Sequence, residues 1–336
     1  MKSGHKRDLV NLVQGLKKHK RFLLSCHVTP EGDAIGSMLA MESLLRRMGK
    51  KTQVICQDPF PERLSCLSSR KWKRTEELKS KKIDYDALVL TDCPTLARIG
   101  DVREVLPREI AIFNIDHHIS NDRFGNYNFI RPEAAASAEV VLDIFDYLKL
   151  PLTRDEAKNL YVGLATDTGS FKYSNTRAES HVIAAKLIAT GLDIEKINDE
   201  LHGAYSLKTM RLYSRLLGRV KTAAGGALAW SSMSRRDLHE TGAGYEDAEG
   251  LIDFVRYLKG SKISFFMSEL ADGKSVRVSF RAKGPYDVNK VATFFNGGGH
   301  KKASGCTMRA SVAEAERQIV KRILSSFHFK SGRHPA

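Results

Sequence analysis

A mostly parallel β-sheet flanked by helices, followed by a smaller α+β domain, is the architecture that this 336-residue sequence predicts. Three observations point to it. The first half alternates short apolar runs with helical patterns, the rhythm of βαβ units. From about residue 222 that rhythm gives way to strands paired through a hairpin turn. The length suits two domains of ordinary size.

The strands of the first half are "RFLLSCH" (21–27), "TQVICQ" (52–57), "YDALVLTD" (85–92) and "EIAIFNID" (109–116). Each is short, rich in branched residues and bounded by turn or charge clusters. Between the first two lies "DAIGSMLAMESLLRRMG", where Ile35, Leu39, Leu44 and Met48 recur near helical spacing and Gly49 sits where a C-terminal cap belongs. "LKKHKR" (16–21) reads as the solvated face of an opening helix. From about residue 134 to 220 the pattern is helical, through "SAEVVLDIFDYLK", "TRDEAKNLYVGLA" and "RAESHVIAAKLIATG" to "IEKINDELHGAYSLKTMRLYSRLLGRV", which suits a helical connector. Beyond it, "GGALAWSSM", "KISFFMSEL" and "KSVRVSFRA" read as strands, the last two joined across Asp272-Gly273. Helices at 246–260, 287–296 and 312–327 complete the second domain, with Trp230, Phe265 and Phe266 in its core. The expected divisions are 1–192, a helical linker over 193–221, 222–330, and a tail of 331–336.

The formal net charge is +15 at pH 7, a positive field that favours polyanionic partners such as nucleic acid or nucleotides. The five cysteines form no CxxC pair and suggest neither a disulfide framework nor a thiolate zinc site. No apolar run is long enough for a membrane span, and charges stand where a secretory leader would begin, so a cytoplasmic location and no membrane partner are expected. "RKWKR" (70–74) interleaves an aromatic with cations, as base-stacking segments do, although a packed indole under a solvated loop fits equally.

The strand ends carry the chemistry. "RFLLSC" runs into "HVTPEGD", giving His27, Glu31 and Asp33; "YDALVLTD" ends on Asp92; "EIAIFNID" ends on Asp116, His117 and His118. A further acid, Asp167 in "GLATDTGSF", follows a helical segment. Singly, such acids are usually turn or cap residues. Together they converge, because strand ends of a parallel sheet open on one crevice, and carboxylates crowded there repel unless cations hold them. Imidazoles with carboxylates and no thiolate suit Mn²⁺, Mg²⁺, Fe²⁺ or Zn²⁺, in numbers beyond one tetrahedral site, so two metals are expected. A metal pair sharing a carboxylate serves in-line displacement at phosphorus.

"NIDHHISN" resembles the signature of the DHH phosphoesterase superfamily, and "HVTPEGDAIGS", "VLTDCPTLARIG" and "GLATDTGSFKYSNT" follow the order of its motifs. "VSFRAKGPYDVNKVATFFNGGGHKKASGC" resembles the DHHA1 domain of one branch. The resemblance spans nearly the whole chain. It implies an active site in a cleft between the two domains, with metal binding by His27, Glu31, Asp33, Asp92, His117 and Asp167, Asp92 being the bridge. The family's usual Asp is replaced by Glu31 in the first motif, one methylene longer. It further implies that Asp116 orients the histidines, that His118 meets the scissile phosphate or protonates the leaving oxygen, and that Arg281, Gly297, Gly298, Gly299 and His300 hold the nucleotide's anionic end. The implied cofactors are two divalent ions, Mn²⁺ first, with Mg²⁺ or Co²⁺ as alternatives. The implied activity is hydrolysis of RNA of two to a few nucleotides to mononucleotides, and of 3'-phosphoadenosine 5'-phosphate (pAp) to AMP, with a homodimer compatible. Two other readings stand beside it: a phosphodiesterase for cyclic or linear dinucleotides, and a catalytically silent basic RNA-binding module, which would be expected to have lost a metal position.

Overall fold

The computed structural model describes residues 3–61, 64–67, 72–78, 84–203, 205–248 and 250–329. The chain divides into two compact units, Met1–Ala204 and Tyr205–Ala336.

The first unit is built on strands β1 (Arg21–Cys26), β2 (Lys51–Cys56), β3 (Lys73–Arg74), β4 (Ala87–Thr91), β5 (Ala111–Asp116) and β6 (Tyr127–Ile130). They lie in the order β3-β2-β1-β4-β5-β6, and every pairing is parallel. The order reverses between β1 and β4, which makes the carboxyl ends of these two strands the natural mouth of a ligand crevice. Alternate residues of β1 serve opposite faces: Phe22, Leu24 and Cys26 join the larger core, and Leu23 joins Leu88 and Leu90 in the smaller one.

Helices α1 (Ser3–Lys18), α2 (Gly32–Arg47), α3 (Ser137–Leu148), α4 (Arg154–Asp167) and α5 (Ala178–Ile188) belong to this unit. Within it, α2 crosses α4 very closely, and small residues allow it. A Cβ on Gly36 would lie 2.2 Å from the Asn159 carbonyl oxygen, and one on Gly163 would lie 2.8 Å from Asp33 Oδ1. The glycines of "GDAIGS" and "VGLATD" are therefore required by packing, and the crossing they permit brings two acids of distant sequence together. β6 is only four residues long between polar breaks, too short for a periodicity signal.

The stretch expected as one helical connector is divided: α6 (Ile194–Asn198) and a π-helical turn (Asp199–Gly203) fall in the first unit and α7 (Leu207–Leu217) in the second. The second unit carries β7 (Lys221–Ala223), β8 (Leu228–Met233), β9 (Ile263–Glu269), β10 (Val276–Ala282), β11 (Gly298–Gly299) and β12 (Ala303–Met308) in the order β11-β12-β10-β9-β8-β7. Its helices are α8 (Arg235–Thr241), α9 (Leu251–Arg256), α10 (Asn289–Phe294) and α11 (Val312–Ser326). The β8 and β9 pairing is parallel and the rest are antiparallel. Trp230 and Phe265 stack in its main core, while Phe266 joins Leu212 and Leu216 on the opposite face.

Trp72 is buried, donates its indole N–H to the Asp58 carbonyl at 3.1 Å and packs on Phe60. The base-stacking reading of "RKWKR" therefore fails for its aromatic; Arg70 and Lys71 lie outside the described residues, as does the 331–336 tail. The reading of "LKKHKR" as a solvated helix face holds only for Lys17 and Lys18, which are exposed at the close of α1; Leu16 is buried, His19 and Lys20 follow the helix, and Arg21 opens β1. No helix among the described residues is long and apolar enough to cross a membrane.

Candidate metal centre

The carboxyl ends of β1, β4 and β5 deliver His27, Asp92 and the Asp116-His117-His118 run, and the close of α4 delivers Asp167. Asp92 stands between the histidines. Its Oδ2 is 3.4 Å from His27 Nε2, and its Oδ1 is 3.5 Å from His117 Nε2 and 3.6 Å from His118 Nδ1. Asp167 Oδ2 is 3.3 Å from His117 Nε2. Two triads of donor atoms, His27 with Glu31 and Asp92, and Asp33 with His117 and Asp167, each lie within 4.8 Å of one another, as does the group Asp92, Asp116, His117 and His118.

These separations bear on whether a cation fits. A charge-assisted hydrogen bond between imidazole and carboxylate contracts to about 2.7–2.9 Å. Two donors each about 2.1 Å from one cation, at octahedral to tetrahedral angles, lie roughly 3.0–3.4 Å apart. The contacts around Asp92 and His117 are near the second spacing, from residues that carry no thiolate. The donor set thus fits a divalent ion of the hard or borderline class.

Other bonds aim the donors. His27 Nδ1 bonds the Val28 carbonyl at 2.9 Å and His117 Nδ1 the Ala134 carbonyl at 3.2 Å, which turns each Nε2 toward Asp92. Asp116 Oδ1 accepts from the backbone N–H groups of His117 and His118 at 2.7 and 3.2 Å, and bonds His118 Nδ1 at 2.7 Å. Its Oδ2 accepts from Asn121 Nδ2 at 2.5 Å. Asp116 is fully buried and holds the run in place. Glu31, exposed, is the N-cap of α2 without using its side chain as a cap.

The start of α3 was not singled out in the sequence, yet it ties the cluster together. Asp33 accepts at Oδ2 from the Ser137 N–H at 2.6 Å and at Oδ1 from the Ala138 N–H at 2.9 Å, so an acid of α2 caps α3. Ser137 Oγ donates to Asp92 Oδ1 at 2.9 Å. Asn175 Nδ2 reaches the carbonyls of Ala135 and Asp167, each at 3.0 Å. Arg98 is a second addition: its Nη2 is 3.4 Å from His27 Nδ1.

Burial and crowding shift these groups strongly. Burial, with the nearby Asp92 charge, pushes Asp33 up to about 7. Asp167 is also raised well above the carboxylate range, by burial first and then by Asp33 despite the counter-effect of His117. Asp92 goes the other way: burial opposes ionisation, but the His27 hydrogen bond and the His118 and His117 charges hold it well below the usual range. The imidazoles answer in kind. Burial would lower His27, yet Asp92 raises it to about 9, and Asp167 with Asp92 raises His117 to about 10 against the same opposition. Positive charge is what this cluster demands.

The residues expected to hold a nucleotide, Arg281, Gly297, Gly298, Gly299 and His300, all lie in the second unit. Arg281 is on β10, its Nε 3.5 Å from Asp253 Oδ1. Gly297 and Gly299 are required by the fold, since a Cβ on them would meet backbone atoms at 2.1 and 2.7 Å. Gly298 is different: a Cβ there meets nothing within 4 Å. His300 is exposed, with its backbone N–H bonded to the Ala303 carbonyl at 2.7 Å.

The model of the DHH family, N-terminal domain, matches residues 21–164, and that of the DHHA1 domain matches 232–327. The bifunctional oligoribonuclease and PAP phosphatase NrnA of Thermus thermophilus is 31% identical over 286 residues, 85% of this chain and 83% of that protein. The protein of the same name from Bacillus subtilis is 26% identical over 309 residues, 91% of this chain and 95% of its own. The crystal structure of an exopolyphosphatase-related protein from Bacteroides fragilis shares the fold, with a TM-score of 0.88 at 24% identity over 95% of this chain and 96% of that one.

Proposed function

Because this chain belongs to the DHH family, with a DHHA1 domain after the DHH domain, we propose that it hydrolyses short oligoribonucleotides to mononucleotides and pAp to AMP. It is a hydrolase acting on phosphoester bonds. The observation that carries the choice of chemistry is the convergence of His27, His117 and His118 on Asp92 at 3.4–3.6 Å, with Asp167 beside His117.

In this reading His27, Glu31, Asp33, Asp92, His117 and Asp167 would hold two divalent ions, Mn²⁺ being the proposed metal, with Asp92 as the shared ligand. Such ions supply an acidified water and neutralise phosphate oxygens when bound. The protein's own groups do the rest. Asp116 fixes the His118 ring through the 2.7 Å bond to Nδ1, which leaves Nε2 to meet the phosphate or hand a proton to the leaving oxygen. Arg281 and His300 take the nucleotide's anionic end, and the open space over Gly298 lets backbone approach it without a side chain between. Both substrates present a phosphate on a short nucleotide, which is why one site can serve them.

The test is product formation by purified protein with Mn²⁺, on a 5'-phosphorylated RNA dinucleotide, a 20-nucleotide RNA, pAp and cyclic di-AMP in parallel. Turnover of the dinucleotide and pAp with little on the long RNA is the expected result. Preferential opening of the cyclic compound would overturn the substrate choice, and no turnover of any of them would overturn the proposal.

A further inference from the structure

A guanidinium stands beside the candidate metal centre, and the fold gives it no anion. Arg98 lies on the 3-10 segment that follows β4 and Asp92, and that segment is pinned to the ends of β1 and β2. The Val28 N–H donates to the Arg98 carbonyl at 2.8 Å, and the Asp101 N–H donates to Gln57 Oε1 at 2.8 Å. Gly100, between the two bonds, has a φ of +60°, and a Cβ on it would lie 2.6 Å from Val28 Cγ1. Ile99 is buried in the smaller core. The backbone of Arg98 is thereby fixed against the residue that follows His27, while its side chain is exposed.

Arg98 Nη2 is 3.4 Å from His27 Nδ1, and that contact does not satisfy it. With His27 Nε2 turned to Asp92, the ring proton sits on Nδ1, where the Val28 carbonyl accepts it at 2.9 Å. Nδ1 then has no lone pair to offer, and two donors face one another. Among the described residues no carboxylate forms an ion pair with Arg98. A cation at this place also opposes the binding of metal ions by His27 and Asp92 unless an anion lies between them. A phosphoryl group is such an anion, since one of its oxygens can meet the cluster while another accepts from the guanidinium.

We propose that Arg98 is a further catalytic residue, donating to a non-bridging oxygen of the phosphoryl group under attack. It serves the side of Asp92 where Oδ2 meets His27, and His118 serves the side of Oδ1. The role rests on the functional reading above only in taking a phosphate ester as the substrate. In the step, the oxygen of a water bonds to phosphorus as the ester P–O bond breaks, and one proton of that water ends on the leaving oxygen. Negative charge is then spread over the non-bridging oxygens, where a fixed donor stabilises the transition state. Arg98 stays protonated throughout.

The test compares full-length wild type, Arg98→Ala and Arg98→Gln, all with Mn²⁺. Either variant is expected to lower kcat on a 5'-phosphorylated RNA dinucleotide and on pAp about 100- to 1,000-fold, the cost of removing one such donor. Using two neutral replacements keeps the result independent of the folding of one. Guanidinium ion, added well below denaturing concentration, should raise kcat of Arg98→Ala severalfold and leave wild type unchanged. Isothermal titration should show Mn²⁺ binding no weaker than in wild type. Inorganic phosphate titrated into the Mn²⁺-loaded chains needs no turnover, and it should bind at least about 10-fold more weakly to the variants. Wild-type kcat or wild-type phosphate affinity in the variants would overturn the proposal. So would weakened Mn²⁺ binding, which would make Arg98 a support for His27. If no nucleotide is turned over, the phosphate titration still decides the role of Arg98, so the two readings fail separately.

Discussion

Two buried aspartates, one in each unit, differ in how they are satisfied. Asp237 in the second unit accepts from both terminal nitrogens of Arg219, at 2.6 and 3.1 Å, and from the Ser234 N–H and Oγ, each at 2.8 Å. Asp92 in the first unit has one short bond, from Ser137 Oγ at 2.9 Å, and three imidazole contacts at 3.4–3.6 Å. A complete set of short bonds marks a carboxylate that serves the fold. Long contacts to imidazoles from separate strand ends fit the proposed role of Asp92 as a metal ligand, since a buried charge needs compensation that such contacts do not fully supply.

Substituting each acid by its amide should break that comparison in opposite ways. Asp92→Asn is expected to lower kcat with Mn²⁺ on an RNA dinucleotide by at least about 1,000-fold, because it removes the oxygen shared across the cluster. Thermal melting of the metal-free variant should stay close to that of the wild type. Full activity would end the two-metal assignment. Ser137→Ala sharpens the comparison further by deleting the one short bond Asp92 has. Its expected effect is a 10- to 100-fold loss of metal affinity, the usual result of removing a group that orients a ligand. Calorimetric Mn²⁺ titration of the variant checks it, and unchanged affinity would show that the serine only begins a helix.

Asp237→Asn should leave metal binding and kcat intact and destabilise the second unit by about 2 kcal/mol, the order of a charge-assisted hydrogen bond set. Burial would raise this carboxyl, but Arg219 and Ser234 hold it below the usual range. A folded pKa below the unfolded one gives stability that is present above the unfolded value, about 3.9 for aspartate, and lost as pH falls through the folded value. The difference between wild type and Asp237→Asn in denaturant melts should therefore be full at pH 7 and shrink between about pH 4 and pH 2. A difference independent of pH would show that the pair contributes by packing alone.

Much of this was legible in the sequence, for physical reasons. The predicted strands that become β1, β4 and β5 are buried over most of their length and read as short, largely apolar runs, and His27, Asp92 and His117 follow directly where those runs stop. Ser137 was not legible, because a hydroxyl residue before an apolar run looks like any helix start; its role comes from Asp33, more than a hundred residues away, capping that helix instead. β12, "ASGCTM", has few branched residues and is a strand through its pairing with β10, so tertiary context outweighs propensity there. Trp72 fails as a surface aromatic for the same reason, since Phe60 and the Asp58 carbonyl that bury it are not adjacent in sequence.

The central claim is that the strand-end cluster holds two divalent ions through a shared Asp92. It is tested most directly by isothermal titration of Mn²⁺ into the metal-free chain, with Asp92→Asn measured alongside. Two ions per wild-type chain and loss of at least one in the variant is the predicted result. No binding by the wild type, or the same stoichiometry and affinity in Asp92→Asn, would contradict it.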